Sequence, residues 1–179
     1  LFIIITIFKT VMIVSPGNAA IAVMFGTMQP GVYESGVNVV PPVANFVTYP
    51  TRRVTVGFEA GGTEGENKDD LLAQSSDRTP LTIDVTFAFR FTPRFLPWVY
   101  ENVGGPQTAL DTLLTPAART AVRPATARFT MNEAIGAQGR VALAQAMQEE
   151  CNREVQTSLT SLGLSREQAG QAIVCLPVL

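Results

Sequence analysis

Acidic side chains are the first candidates for chemistry in this sequence, because two carboxyl groups held together can serve as general acid and general base. Asp84 falls on the polar side of a strand pattern, whereas Asp111, Glu149 and Glu150 fall in helical patterns. None has a second acid at a spacing that defines such a pair, and residues 69–70 lie in a Gly-rich stretch where no burial would raise a carboxyl pKa. We expect these carboxylates to be solvated charges or helix caps.

Histidine is absent from the sequence, which removes Ser-His-Asp and Cys-His nucleophiles, His-bearing zinc sites and imidazole bases. The serines have no G-x-S-x-G context, and no cluster of residues has metal-ligand spacing. The acidic stretch 60–70 lacks the G-x-x-x-x-G-K-[ST] spacing of a phosphate-binding loop and predicts a surface loop. The residue types therefore predict a protein without catalytic, cofactor-binding or metal-binding residues.

Two cysteines and two arginines remain as reactive or charged candidates. Cys151 and Cys175 have no C-x-x-C motif and could form one disulfide, but the apolar pattern around each favours two buried free thiols. Arg119 and Arg123 are four residues apart on one predicted helix face, a spacing that favours ordinary ion pairs over an anion site.

The composition favours a membrane or a large interface. The chain has 179 residues, enough for one ordinary domain or two small ones. A net charge of −2 and a charged fraction of 16% do not suit a protein that neutralises phosphates, so no nucleic-acid partner is expected. The mean hydropathy of +0.21 is high for a wholly soluble protein.

The start of the chain, LFIIITIFKTVMIV, is apolar apart from Thr6, Lys9 and Thr10. As a helix it would be about 21 Å long, which is shorter than the ~30 Å hydrocarbon core. We favour the distal part of a membrane helix, in which Lys9 must snorkel or face a partner helix. A signal-peptide core and a buried strand are the alternatives. The residues assigned to the membrane anchor are Leu1, Phe2, Ile3, Ile4, Ile5, Ile7, Phe8, Val11, Met12, Ile13 and Val14.

Alternating apolar residues predict an antiparallel β-rich unit over residues 16–58. Its strands are expected at 19–25, 36–43 and 52–58. The clearest pattern is LTIDVTFAFRF at 81–91, where every odd position is apolar, which predicts one long strand with one buried face.

From Pro93 onward the apolar period becomes helical. We predict a short helix over 94–105, followed by a helix with Pro116 in its first turn and a break or kink at Pro124. A capping box of Thr130 and Glu133 comes next, before a helix over 140–162 that stops at Gly163. A strand over 172–179 is expected to close the fold. The long helix carries an apolar stripe that predicts packing on a sheet: Ala144, Met147, Cys151, Val155, Leu159 and Leu162. Segregated strands and helices predict an α+β fold.

The order of these motifs resembles the SPFH (band 7) domain of stomatins, prohibitins, flotillins and bacterial membrane-protease regulators. The resemblance covers Val14 to Leu179, and its most specific pieces are Pro16-Gly17 with Ala20, the Gly36–Pro41 hairpin, the Arg52-Arg53 strand and the Ala127-Arg128-Phe129 stretch, which is closest to prohibitins. The stretch 60–70 looks like an insertion, and the family's long coiled-coil helix is expected after Leu179.

The resemblance implies a membrane anchor at residues 1–15, a β-rich first subdomain at 16–75 and an α+β second subdomain at 76–179. It also implies a non-enzymatic scaffold that assembles with its own copies or SPFH paralogues into rings or cages. Strand 81–91 and helix 140–162 are expected to supply lateral contacts. Such a scaffold would organise a membrane patch and regulate membrane proteins or AAA proteases.

The implied location is the bacterial plasma membrane or the mitochondrial inner membrane, with a single N-terminal pass. Two alternative functions stay open. One is an accessory subunit of a larger membrane complex that uses an SPFH fold. The other is a secreted or periplasmic non-catalytic binding module, with residues 1–14 as the tail of a signal sequence.

Overall fold

The computed structural model of the chain describes residues 11–29, 31–58 and 71–176. In chain order its strands are β1 (Val11–Val14), β2 (Asn18–Met24), β3 (Thr27–Met28), β4 (Gly36–Val39), β5 (Asn45–Pro50), β6 (Val54–Phe58), β7 (Leu71–Gln74), β8 (Pro80–Ile83), β9 (Val85–Phe91) and β10 (Ile173–Leu176). Each paired strand is antiparallel to its neighbour.

The helices lie between β9 and β10. They are α1 (Leu96–Asn102), α2 (Pro106–Ala109), α3 (Thr115–Thr126), α4 (Met131–Ile135), α5 (Ala137–Ser161) and α6 (Arg166–Ala172). A 3-10 turn at Pro93–Phe95 precedes α1, and a π-helical turn at Leu110–Leu114 joins α2 to α3. Mixed helix and strand content with helices grouped after the strands agrees with the predicted α+β class.

The described strands form four small sheets. β2 lies between β3 and β5, β9 lies between β6 and β10, and β1–β4 and β7–β8 are two-stranded pairs. The sheet β6–β9–β10 joins residues from both sides of the predicted subdomain boundary at 75–76, and that boundary stays a prediction.

The pattern at 81–91 forms two strands instead of the one that was predicted. β8 pairs with β7, whereas β9 pairs with β6 and β10, and Asp84 lies between the two strands. The alternation continues across Asp84, but the hydrogen-bonding partners change there. Because alternation reports which face is apolar and carries no information about the partner strand, the break was invisible in the sequence.

One apolar core connects the sheet of β9 to the helices. Phe87, Phe89 and Phe91 on β9 are fully buried, together with Leu159 on α5. On β2 all side chains from Ala19 to Val23 are buried, so this strand is covered on both faces. The strand that was predicted over 19–25 ends at Met24, one residue earlier than expected, and Phe25 is 90% exposed in the following turn.

Most of the helix caps and helix ends that the sequence predicts are confirmed. Thr130 Oγ1 accepts a 3.3 Å hydrogen bond from the Glu133 N–H, and Glu133 Oε2 accepts one of 2.8 Å from the Thr130 N–H, which completes the capping box. The hydrogen bonds from Thr130 lower the pKa of Glu133. A break or kink was predicted at Pro124, and the break is wrong, because α3 runs through Pro124 and ends two residues later at Thr126. Gly163 follows α5 with a φ of +107°, a left-handed conformation that suits glycine.

The helical interpretation of residues 1–14 is wrong for Val11, Met12, Ile13 and Val14. These residues form β1, which pairs with β4 in the register Val11 with Val39 and Val14 with Gly36. The β-branched side chains of Val11, Ile13 and Val14 suit an extended chain once a partner strand is available, and β4 supplies that partner from 22 to 28 positions further along. Leu1, Phe2, Ile3, Ile4, Ile5, Ile7 and Phe8 lie outside the described residues.

Candidate functional site

An exposed apolar surface on the β1–β4 pair is the most unusual feature of the described chain. Val11 faces Val39, and Ile13 faces Val37, so all four side chains project from one face, which we name the apolar β1–β4 face. Their exposed fractions are 50%, 77%, 74% and 72% in that order. The alternate residues Met12 and Asn38 lie on the opposite side and are partly buried.

Charge is missing from this surface. Within the described pair of strands, the side chains in register carry no acidic or basic group. Clustered exposed apolar side chains cost free energy in water and mark contact with lipid or with a protein partner. Strand β1, which carries half of this face, begins after Lys9 and Thr10, just beyond the apolar stretch of residues 1–8. Sequence reasoning assigned β1 to the membrane anchor but missed the contribution of β4.

The carboxylates considered for chemistry do not come together. Asp84, Asp111 and Glu149 are exposed, and Asp111 accepts a 3.1 Å hydrogen bond from Gln107 one helical turn before it. No group of three or more His, Cys, Asp or Glu side chains that could hold a metal ion occurs among residues 11–29, 31–58 and 71–176.

Glu150 is the exception, because the prediction that it is a solvated charge is wrong. Its residue is only 2% exposed, and its carboxylate forms ion pairs with Arg128, which follows α3, and with Arg153 on α5. A signal for this was present in the sequence. Glu150 lies three residues after Met147 and next to Cys151, so helical periodicity places it beside the apolar stripe.

The cysteines are free and buried, as the sequence predicted. The two thiols are also neighbours, which the sequence did not reveal: Asn152, next to Cys151 on α5, hydrogen-bonds the N–H and the carbonyl of Cys175 on β10, and the two cysteine side chains interact. The interaction with Cys175, followed by burial, raises the pKa of Cys151, and the same interaction lowers the pKa of Cys175 because it stabilises the thiolate there. Of the two arginines, Arg119 lies 6.0 Å from the centre of the Phe58 ring, and the ion pairs predicted for Arg119 and Arg123 stay a prediction.

A second apolar surface lies between β8–β9 and α4–α5. It is an open groove of about 510 Å³ whose lining includes Ile83, Ile135 and Leu143, with Asp84 and Arg140 among the lining residues. Ile135 is 52% exposed. The groove therefore lies where the predicted lateral-contact elements, strand 81–91 and helix 140–162, meet.

Comparison with known proteins identifies the family. A model of the SPFH domain / Band 7 family matches residues 12–167, so the chain belongs to that family. Its members are generally membrane-associated and commonly act in membrane scaffolding without catalysis. No curated protein matches the chain. None of the helices in the described ranges is long and apolar enough to span a bilayer.

Proposed function

We propose that this chain is a membrane-associated, non-catalytic SPFH scaffold. The observation that carries the proposal is the apolar β1–β4 face, four neighbouring β-branched side chains that are each at least half exposed. Lipid contact would remove this surface from water and recover part of the free energy that its exposure costs.

The anchoring is divided between two parts of the chain. The apolar residues 1–8 are assigned to insertion in the bilayer as part of a single N-terminal anchor, and the apolar β1–β4 face is assigned to the lipid surface beside it. This division replaces an anchor that runs through Val14, because Val11–Val14 belong to a strand. The bacterial plasma membrane or the mitochondrial inner membrane is the proposed location.

Lipid contact at this face is tested by a fluorophore at Val39. We expect that Val39→Cys labelled with bimane will be quenched when vesicles of phosphatidylcholine and phosphatidylglycerol carry bromine on their acyl chains. The matched control is Leu72→Cys on β7, an equally apolar side chain with 65% exposure on another sheet, which should not be quenched. The unsubstituted chain, in which Cys151 and Cys175 are fully buried, is labelled in parallel to measure background reaction.

Two outcomes would contradict the membrane proposal. If the full chain fails to float with these vesicles in a density gradient, membrane association is wrong. If the chain floats but Val39 is quenched no more than Leu72, the apolar β1–β4 face has no specific contact with lipid, and the division of the anchor between two parts of the chain is wrong.

We also propose that copies of the chain, or SPFH paralogues, assemble side by side through the groove between β8–β9 and α4–α5. The support is the exposed Ile135 beside Ile83 and Leu143, with Asp84 and Arg140 at the same groove. Such a surface combines apolar area with charged groups, as lateral interfaces commonly do. Repeated head-to-tail contacts close into a ring or cage when the rotation permits. The assembly would organise a membrane patch and regulate membrane proteins or AAA proteases.

The groove proposal predicts a change in oligomeric state. In mild detergent the full chain should sediment as a large assembly, and Ile135→Asp should shift most of it to small species, because a carboxylate would be desolvated in the contact. Phe25→Asp introduces the same charge at an exposed apolar site in the turn between β2 and β3 and should leave the assembly intact. A wild-type chain that sediments as a monomer, or equal effects of the two variants, would show that the groove is not the contact.

A further inference from the structure

The two buried cysteines are held together by the surrounding fold. Cys151 lies on α5 and Cys175 on β10, both are fully buried in the same apolar core, and their side chains interact. The Cys175 thiol in turn donates to the carbonyl oxygen of Leu176 at 3.6 Å. The pair therefore occupies the contact between the long helix and the last described strand.

Side chains from α5 fix the backbone of Cys175. Asn152 Oδ1 accepts a 2.8 Å hydrogen bond from the Cys175 N–H, and Asn152 Nδ2 donates to the Cys175 carbonyl at 3.2 Å. Gln148 Nε2 donates to the same carbonyl, also at 3.2 Å. Because Gln148 and Asn152 flank Cys151 on the helix, these bonds prevent Cys175 from sliding along α5. The fold thus keeps the two sulfur atoms adjacent.

We propose that Cys151 and Cys175 are a thiol–disulfide modification site, at which a small disulfide such as oxidised glutathione converts the pair into an intramolecular disulfide. The thiolate of Cys175 attacks one sulfur of glutathione disulfide, forms a mixed disulfide and releases one glutathione thiolate. The thiolate of Cys151 then attacks the Cys175 sulfur and releases the second glutathione thiolate. The two protons from the cysteines go to the two glutathiones, so the protein loses two electrons and glutathione disulfide gains them.

We assign the first attack to Cys175 because it lies on the edge strand β10, whereas Cys151 lies within the long helix α5. Access requires local opening, because both thiols are buried. β10 is a short strand at the edge of the sheet β6–β9–β10, where opening costs less than in a central strand. The disulfide would tie α5 covalently to β10.

The experiment measures the disulfide equilibrium in the native and the unfolded chain. The full chain is refolded in glutathione redox buffers, which lets the bond form before the thiols become buried. The fraction oxidised is then read from intact mass after acid quenching and thiol alkylation. A second sample is equilibrated in the same buffers in concentrated urea. We expect the native fold to favour the bond on the order of 100-fold over the unfolded chain, because thiols held in contact have a high effective concentration.

Peptide mapping and single variants identify the bond. The linked peptides should join Cys151 to Cys175 within one chain, and Cys151→Ala and Cys175→Ala should form only mixed disulfides with glutathione. An equilibrium ratio in the native chain that is equal to or below that of the unfolded chain would overturn the proposal, because the fold would then not bring the sulfur atoms into bonding geometry. A bond between two chains would overturn it as well.

Discussion

Replacing Tyr49 with alanine is expected to destabilise the chain by about 3–5 kcal/mol, the range for large buried aromatic side chains. Tyr49 on β5 is fully buried, and its ring meets that of Phe91 on β9 edge-on with centroids 5.7 Å apart. Its hydroxyl donates a hydrogen bond to the carbonyl of Gly104, in the connection between α1 and α2. The variant would lose the ring contact, the hydrogen bond and a filled core volume together.

Urea unfolding at neutral pH measures this effect. Tyr33→Ala is the matched control, because Tyr33 also makes an edge-on ring contact, with Phe46, but is only partly buried. Tyr33→Ala should lower the free energy of unfolding by less than half as much as Tyr49→Ala does. Equal costs for the two variants would mean that Tyr49 does not connect β5 to the core.

The hydroxyl of Tyr49 is expected to make the stability of the fold depend on pH. Burial raises the pKa of Tyr49, with a smaller contribution from Tyr100. The unfolded chain therefore loses the Tyr49 hydroxyl proton at lower pH than the folded chain does. The contribution of this hydroxyl to the free energy of unfolding is fully present below about pH 10 and is lost as the pH rises above it. Tyr49→Phe should cost about 1–2 kcal/mol at neutral pH. The difference between wild type and Tyr49→Phe should shrink above about pH 10, which titration of unfolding midpoints would reveal.

The second large effect is expected at Glu150. Glu150→Ala removes the buried carboxylate that neutralises Arg128 and Arg153, and the two guanidinium groups are left facing the same position. Breaking a fully buried pair costs about 3–5 kcal/mol. Here the arginine side chains are 49% and 60% exposed, so water partly compensates them and we expect about 2–3 kcal/mol.

Two neighbouring variants separate charge from position at this site. Glu149→Ala removes the adjacent, exposed carboxylate and should change stability by no more than about 0.5 kcal/mol. Glu150→Gln keeps the shape of the side chain and loses its charge, so its loss of stability should fall between those of Glu149→Ala and Glu150→Ala. Added salt should reduce the cost of Glu150→Ala, since it screens the repulsion between the two arginines. A cost for Glu150→Ala no larger than that for Glu149→Ala would show that the ion pairs contribute nothing to the fold.

Much of the local structure could be predicted from the sequence alone. The capping box at Thr130, the long helix before Gly163 and the strand at Val54–Phe58 each depend on residues close together in the chain. The strand pattern at 81–91 was recognised as extended, but the change of partner at Asp84 was not. Local periodicity reports which side of an element is apolar, and only contacts with distant segments decide what covers it.

By itself the sequence determined that the given chain carries no imidazole group and where its capped and most strongly periodic elements lie. A chain without histidine has no imidazole base wherever its residues lie, and turn, cap and periodicity signals act over a few residues. The tertiary structure alone decided that Val11 meets Val39, that Arg128 reaches Glu150 and that Cys151 lies beside Cys175. The physical reason is that each of these contacts joins residues distant in sequence, and their pairing depends on how the whole core packs.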